Sequence, residues 1–419
     1  MSERNYNTEM KLRSKEYKQL LSETIDEFNS NGKKTVLITS DAFFPVVDGV
    51  VNVIDNYAKL LSKDMNVMML VPTYKGKVYM KGYPAIGVLS GFSERIHNQV
   101  PLPMFDTHYG KLLKKLRIDV IHCHSPFTIS RIALKLHKKR HIPLVSTFHS
   151  QYKRDFEQHA KLLSPMMMKY IMRCYNNCDE VWTMHSASRD TILSYGYKGK
   201  VLLMPNGTAM TSSPDYEKER LQARNKFVSD SDNTVILIFV GRLVITKNIL
   251  FVVDVLAELK KRGIKFKMLF AGDGPDKEKL VAKIAHENLK EDITMLGQMN
   301  KDNIAEVYSA ADLFLFPSMY DVSSLVQIEA ASRYTPTVFA EGSVTSCTVT
   351  NGVNGYVYPC NVQEFADGIC KVLEDREKLK EVSQNAYRDI YVTWEYLVGK
   401  VRNRYLQLIE ENNHKQKTE

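Results

Sequence analysis

The chain has 419 residues, 44% hydrophobic and 25% charged. That is an ordinary globular balance, which excludes wholesale disorder and predicts two or three domains. Its net charge of +9 is uneven: residues 1–200 carry 30 Lys+Arg against 18 Asp+Glu, and residues 201–419 carry 27 against 30. A basic first half suits nucleic acid, an anionic membrane surface or a phosphorylated substrate.

No apolar run approaches the ~18 residues needed to span a bilayer. The polar opening Ser2-Glu3-Arg4-Asn5 is not followed by the apolar segment of a secretory signal, so a cytoplasmic chain is expected. The six cysteines, at 123, 174, 178, 347, 360 and 370, form no CxxC. Reduced thiols are expected, and no zinc site.

In chain order, residues 1–33 read as a polar N-terminal helical extension. Leu12, Tyr17, Leu20, Leu21, Ile25 and Phe28 recur at near-helical spacing, and Asn31-Gly32 ends it. Short apolar, β-branched runs then recur at Thr35–Ser40, Asn66–Pro72, Ile118–His124, Leu144–His149, Val181–His185 and Val201–Pro205, with helical patterns between several of them. Continuous apolar strands alternating with amphipathic helices imply a parallel sheet covered on both faces.

Residues 208–233 are polar and read as a linker carrying a short helix. The alternation restarts at Thr234–Gly241, Phe266–Gly272, Ile293–Gly297, Leu313–Pro317, Thr337–Phe339 and Gly355–Pro359. Two Rossmann-like, doubly wound α/β domains are thus predicted, at 34–207 and 234–381. A helical segment and tail follow at 382–419. In such sheets ligands sit at the carboxyl ends of the strands, so loops that follow strands are where functional residues are sought.

Three such loops stand out in the second half. Gly241-Arg242-Leu243 with Lys247 puts two cations at a strand-to-helix turn, which suits a phosphate clamp: Arg supplies a planar fork, Lys a point charge. A solvated loop with two surface cations is the plain alternative. Gly272-Asp273-Gly274-Pro275 lacks the third glycine of GxGxxG; its glycines permit close backbone approach to a ligand or simply a tight turn. The third loop runs from Pro317-Ser318 to Asp321, and Glu329 follows eight residues later. A helix starting near Ser323 would turn the amides of Ser323, Ser324 and Leu325 towards a phosphate, and the two carboxylates suit sugar hydroxyls. An Asp321 helix cap plus an unrelated acid is the plain reading.

In this order, these motifs together with Gly352-x-Asn354-Gly355 resemble the retaining GT-B glycosyltransferases of family 4. So do Asp41-x-Phe-Phe-Pro45 through Asp48-Gly49-Val50, His122-x-His124-Ser-Pro126, Thr147-Phe-His149 and Met204-Pro205-Asn206-Gly207 in the first half. The resemblance covers nearly the whole chain. It implies two Rossmann-like domains facing across a cleft, with the last helix crossing back to the first. It further implies that Arg242 and Lys247 hold the diphosphate of a UDP- or GDP-linked sugar. Asp321 would touch the donor sugar, with Gly272 and Gly274 beside the donor, and Glu329 would bind the ribose. Gly49 would let a loop approach the phosphates, and His149 would face the reacting sugar or the acceptor.

The implied activity is metal-independent glycosyl transfer with retention to a lipid or glycan acceptor, in glycolipid or polysaccharide synthesis. No cofactor and no nucleic-acid partner are expected, and the oligomeric state stays open. The alternatives are a non-catalytic accessory subunit of a transferase complex and a sugar-nucleotide epimerase.

The departures from the family pattern are Asp321 in place of a Glu, Ser324 and Tyr334 in place of Gly, and Cys347 where an acid is common. His122 and His124 share a strand face but lack the carboxylates that would complete a metal site. Asp230-Ser-Asp232 matches a metal-diphosphate motif of another transferase fold, yet it precedes a strand and reads as a loop. Lys111–Arg117 and Lys135–Arg140 are basic stretches that suit solvated helix ends or contact with anionic lipid at the inner face of a membrane.

Overall fold

The computed structural model describes residues 4–46, 48–94, 98–212, 215–229, 234–319, 321 and 325–418; side chains at 155, 158–160 and 301 lie outside that description. It divides into two compact units. The first is Met1–Pro205 with Trp394–Glu419, and the second is Asn206–Thr393.

The first unit contains strands β1 (Asn7–Lys11), β2 (Thr35–Thr39), β3 (Asn66–Pro72), β4 (Lys77–Lys81), β5 (Ala85–Val88), β6 (Ser90–Ser93), β7 (Asn98–Pro101), β8 (Val120–Cys123), β9 (Leu144–Thr147), β10 (Glu180–Thr183) and β11 (Lys200–Leu203). Seven of them form a parallel sheet in the order β11-β10-β9-β8-β2-β3-β5. β2, β3, β8, β9 and β10 are buried along their whole length, as uninterrupted apolar runs require when helices cover both faces. The order reverses at β2, so the switch point lies between the carboxyl ends of β2 and β8.

Residues 1–33 differ from the expected helical extension. β1 pairs antiparallel with β4 from Asn7↔Lys81 to Lys11↔Lys77. Among the described residues there, only Lys15–Ser30 is helical, capped by Ser14, whose side chain accepts from the Tyr17 amide. Tyr17, Leu21 and Ile25 are fully buried, so this helix is part of the unit's core. The strand was hidden because its pairing partner lies about seventy residues downstream.

The second unit contains β12 (Val235–Val240), β13 (Phe266–Ala271), β14 (Ile293–Gly297), β15 (Leu313–Phe316), β16 (Thr337–Ala340) and β17 (Tyr356–Tyr358), all parallel, in the order β14-β13-β12-β15-β16-β17. Its switch point lies between β12 and β15. The segment read as a linker belongs to this unit. The helix Tyr216–Arg224 is tied to the sheet by Arg220 and Arg224, which bond Asp312 at 2.7 and 2.9 Å just before β15.

The final helical segment is two helices. Arg376–Ile390 stays in the second unit and ends where Tyr391 turns extended. Thr393 then bridges Thr208, and Trp394–Thr418 belongs to the first unit. There Trp394 meets Tyr57 edge-on, Tyr405 stacks on Trp182 at 5.6 Å, and Arg404 pairs with the almost fully buried Glu180. Among the described residues no helix is long and apolar enough to cross a membrane.

Candidate active site

The second unit gathers its chemistry at the carboxyl ends of β12 and β15. Gly241 leaves β12 with φ 152°, and the Lys247 stem lies against it: a Cβ there would sit 3.6 Å from Lys247 Cδ. Lys247 crosses the switch point to Asp321, with Nζ 2.9 and 3.0 Å from the two carboxylate oxygens. Ser318, fully buried, donates its hydroxyl to Asp321 Oδ2 at 2.5 Å. The Lys247 ammonium also lies 4.9 Å from the Phe316 ring centroid, a cation–π contact.

Asn248 completes the corner. It adopts the left-handed conformation (φ 56°), which Asn tolerates better than most residues, and its amide donates to the Pro317 carbonyl at 2.8 Å. Sequence reasoning missed Asn248, because its partner lies on another strand end.

Arg242 is exposed and its guanidinium has no partner among the described residues. It lines a pocket of about 410 Å³ with Gly241, Gly272, Asp273, Gln298 and Met299. Gln298 and Met299 were also missed, although they directly follow β14; the rule that ligands bind at strand carboxyl ends would have found them. With Lys247 paired to Asp321, Arg242 is an uncompensated cation of this corner among the described residues.

Gly272 and Gly274 are required by the protein's own packing. A Cβ on Gly272 (φ 137°) would lie 1.9 Å from the Gly241 carbonyl oxygen, and one on Gly274 would lie 2.4 Å from that of Leu243. The two loops are locked backbone to backbone, and the Leu243 amide donates to the Asp273 carbonyl at 3.0 Å. These glycines make room for protein, with only the Gly272 backbone reaching the pocket.

Glu329 lies on the helix Leu325–Ser332, half-buried, and accepts a 3.3 Å hydrogen bond from the Tyr308 hydroxyl. Leu325 is the first described residue of that helix. Ser323, Ser324 and Asp230–Asp232 lie outside the described residues.

Tyr334 takes φ 58° in the turn before β16, at the amino edge of the sheet and so at the opposite end from Lys247. A bulky side chain is strained there. The ring compensates by stacking on Tyr387 at 4.4 Å and meeting Tyr216 at 4.2 Å. This departure from the family pattern therefore does not touch the Lys247–Asp321 corner.

In the first unit, the switch point holds Asp41, His124 and His149. Burial pushes the Asp41 carboxyl up to about 6, against hydrogen bonds from the Ile129 amide, the Ser125 hydroxyl and the Thr128 and Phe127 amides. Asp41 Oδ1 accepts from the Ile129 amide at 2.8 Å and Oδ2 from the Ser125 hydroxyl at 2.9 Å. Its acid is thus committed to closing the start of the helix Thr128–Arg140.

His149 follows β9 and stacks on His124, with Nε2 3.0 Å from His124 Nδ1. Burial lowers its pKa to about 4, so it is neutral at physiological pH and exchanges single hydrogen bonds. His122 is a core residue: Nδ1 meets the Tyr405 hydroxyl at 2.5 Å and Nε2 the Thr147 hydroxyl at 2.7 Å. Neither of its nitrogens is left for a metal. Gly49 opens the helix Gly49–Leu61 below the Asp48 cap, and a Cβ there would meet nothing within 4 Å. Open space at a helix N-terminus suits an approaching anion.

Comparison with known proteins gives two family-model matches. A family model described as glycosyltransferase family 4 matches residues 47–210, and one described as glycosyl transferases group 1 matches residues 221–389. The chain belongs to glycosyltransferase family 4. It is similar to the alpha-monoglucosyldiacylglycerol synthase of Acholeplasma laidlawii, 25% identical over 391 residues, 90% of this chain and 98% of that protein. The synthase of the same name from Streptococcus pneumoniae is 24% identical over 310 residues, 72% of this chain and 69% of that one.

Two solved structures share the fold. Sucrose-phosphate synthase from Thermosynechococcus elongatus superposes with a TM-score of 0.72 at 18% identity, covering 90% of this chain and all of that one. Anabaena HepE in complex with UDP gives 0.71 at 16%, covering 89% of this chain and all of that one. This family 4 chain is therefore a GT-B glycosyltransferase, an enzyme of the hexosyl- and glycosyl-transferring class.

Proposed function

We propose that this glycosyltransferase moves a sugar from a UDP- or GDP-linked donor to a lipid acceptor, with retention and without a metal or other cofactor. A glycan acceptor is the second option. The observation that carries the donor half is the β12–β15 corner, where Arg242, with no partner among the described residues, lies beside a pocket of about 410 Å³ and Lys247 is held by Asp321. The names of the Acholeplasma and Streptococcus synthases favour a diacylglycerol-type acceptor.

The chemical problem is a diphosphate that leaves while the anomeric carbon gains positive charge. Arg242 and Lys247 supply preorganised positive charge to the departing phosphate, the kind of stabilisation worth most in a water-poor site. Asp321, oriented by Ser318 and Lys247, accepts hydroxyls of the donor sugar. Glu329 accepts the ribose diol, and the pocket beside Met299 takes the base. The departing phosphate accepts the acceptor's proton on the face it leaves, which retains the anomeric configuration.

His149 is neutral near pH 7 and serves as a hydrogen-bonding group to the sugar, with its orientation set by His124. The first unit, with its excess of positive charge, receives the acceptor. We place the chain in the cytoplasm, at the inner face of a membrane.

The test is a thermal-shift screen of UDP- and GDP-linked sugars, followed by product analysis with diacylglycerol and prenyl-linked glycan acceptors. A shift with one donor and transfer to a lipid supports the reading. Hydrolysis or epimerisation without transfer to any acceptor contradicts it.

A further inference from the structure

The large apolar side chains most exposed among the described residues are concentrated in two segments of the first unit. Leu162 is 97% exposed, Met104 79%, Phe105 67% and Met166 65%, and Leu163 beside Leu162 is exposed as well. Met104 and Phe105 end the short turn Pro103–Phe105; Leu162, Leu163 and Met166 sit where Lys161–Leu163 runs into the helix Ser164–Tyr175. Scattered single apolar residues need no explanation, whereas a concentration of them marks an interaction site.

A groove of about 760 Å³ lies between that helix and Thr128–Arg140. One face of Ser164–Tyr175, with Ile171, Met172 and Tyr175, is buried in the core. Another carries Met166, Tyr170 and Arg173, three to four residues apart and so on one stripe. Tyr170 and Arg173 line the groove, as Met104 does from its turn. The opposite wall is Arg131, Lys135 and Lys138, again one helical stripe.

Among the described residues the groove thus has four cations and no carboxylate lining it. None of the four makes an ion pair among the described residues; Arg131 only stacks over the Tyr170 ring at 4.5 Å. Elsewhere in this unit exposed cations do find acids, as Lys59 does with Asp55 and Arg117 with Asp119.

We propose that this groove and its apolar tips are a docking surface for an anionic lipid bilayer. Leu162, Leu163, Met166, Met104 and Phe105 enter the headgroup–acyl boundary, and Arg131, Lys135, Lys138 and Arg173 meet lipid phosphates. Charge complementarity selects this occupant: unpaired cations behind exposed apolar tips match an interface that is negative outside and apolar within. The surface deepens the lipid-acceptor reading, but its test uses neither donor nor acceptor, so the two fail separately.

The full chain is sedimented with phosphatidylcholine vesicles with and without phosphatidylglycerol. Binding is expected only with phosphatidylglycerol, and it weakens with salt. Lys135→Glu with Lys138→Glu lowers the partition coefficient by about tenfold or more. Leu162→Asp with Met166→Asp, and separately Met104→Asp with Phe105→Asp, lower it by about tenfold, also at low salt. All three pairs lie on exposed positions and are expected to keep the wild-type melting temperature, which shows that each variant is folded. Equal binding to both vesicle types, no binding to either, or wild-type binding by all three variants overturns the proposal. So does self-association through the same residues without vesicle binding.

Discussion

Lys247 and Asp321 are 74 residues apart in the chain and meet across the switch point of the second sheet, with Nζ 2.9 Å from Oδ1. The pair is about four-fifths buried on both sides, and Asp321 is also held by Ser318. Under the proposed mechanism each partner has two duties, one towards the other and one towards the donor. Asp321→Asn removes the charge and keeps the shape. Transfer efficiency should fall by about 2–3 kcal/mol in barrier, the scale of a charged hydrogen bond. Affinity for UDP or GDP alone should hold or rise, because Lys247 is released to the phosphates. Calorimetry beside steady-state kinetics checks this; a parallel loss of nucleotide affinity would place Asp321 on the nucleotide and not on the sugar.

Glu329→Gln tests the ribose contact. The amide oxygen can still accept from Tyr308, and the melting temperature, read alongside, separates a folding loss from a binding loss. Nucleotide affinity should drop by about 1–2 kcal/mol. Unchanged affinity would leave Glu329 with a structural role only.

Gly272 and Gly49 should respond oppositely to alanine. At Gly272 the new methyl meets the Gly241 carbonyl, and the backbone is one that L side chains rarely adopt. Strain of that kind costs about 1–3 kcal/mol before the steric overlap is added, so Gly272→Ala should lower the melting temperature of the second unit sharply. Gly49→Ala enters open space and should fold normally, with any loss appearing in kcat/KM. A normally stable Gly272→Ala would show that the two loops separate easily.

Acid should destabilise the first unit. His122, His124 and His149 all have folded pKa values depressed by burial. The unfolded chain therefore takes up protons that the folded one refuses as pH falls below about 6.5. Their contribution is intact above that pH and is lost towards about 4, the His149 value. Asp41 acts the other way: its raised pKa of about 6 means the folded state gains a proton between that value and the ordinary carboxylate range. Three histidines against one aspartate leave a net loss on acidification, with each net proton worth about 1.4 kcal/mol per pH unit. Denaturant midpoints flat above pH 6.5 and falling below it would agree; rising stability on acidification would mean that the histidines are not buried neutral.

Much of the architecture was legible because buried parallel strands advertise themselves. Asn66–Pro72 and Ile293–Gly297 read directly as apolar runs, and the strand-end rule led to Arg242, Lys247, Asp321 and His149. What stayed hidden depends on partners distant in sequence. β1 is polar and alternating, and becomes a strand only by pairing with β4. The helix Tyr216–Arg224 looks like linker until Asp312 gives its two arginines a counter-charge. The break at residues 391–393 carries no Pro or Gly, and is made by the Thr208–Thr393 bridge. His122 resembled half of a metal pair; only Tyr405, 283 residues on, shows it to be a core hydrogen-bonding group. The GxG at Gly272–Gly274 left a ligand loop and a tight turn both open, because a glycine allows close approach to a backbone as readily as to a phosphate.

The central claim is that fixed cations, chiefly Arg242, neutralise the donor's diphosphate. Its most direct test is the affinity of UDP and GDP for the wild type and for Arg242→Ala in excess chelator, read with donor turnover. The account predicts full wild-type binding with chelator present and a loss in Arg242→Ala of about 3–4 kcal/mol in the transfer barrier, with weaker nucleotide binding. Binding that vanishes with chelator, or near-normal kcat/KM in Arg242→Ala, would contradict it.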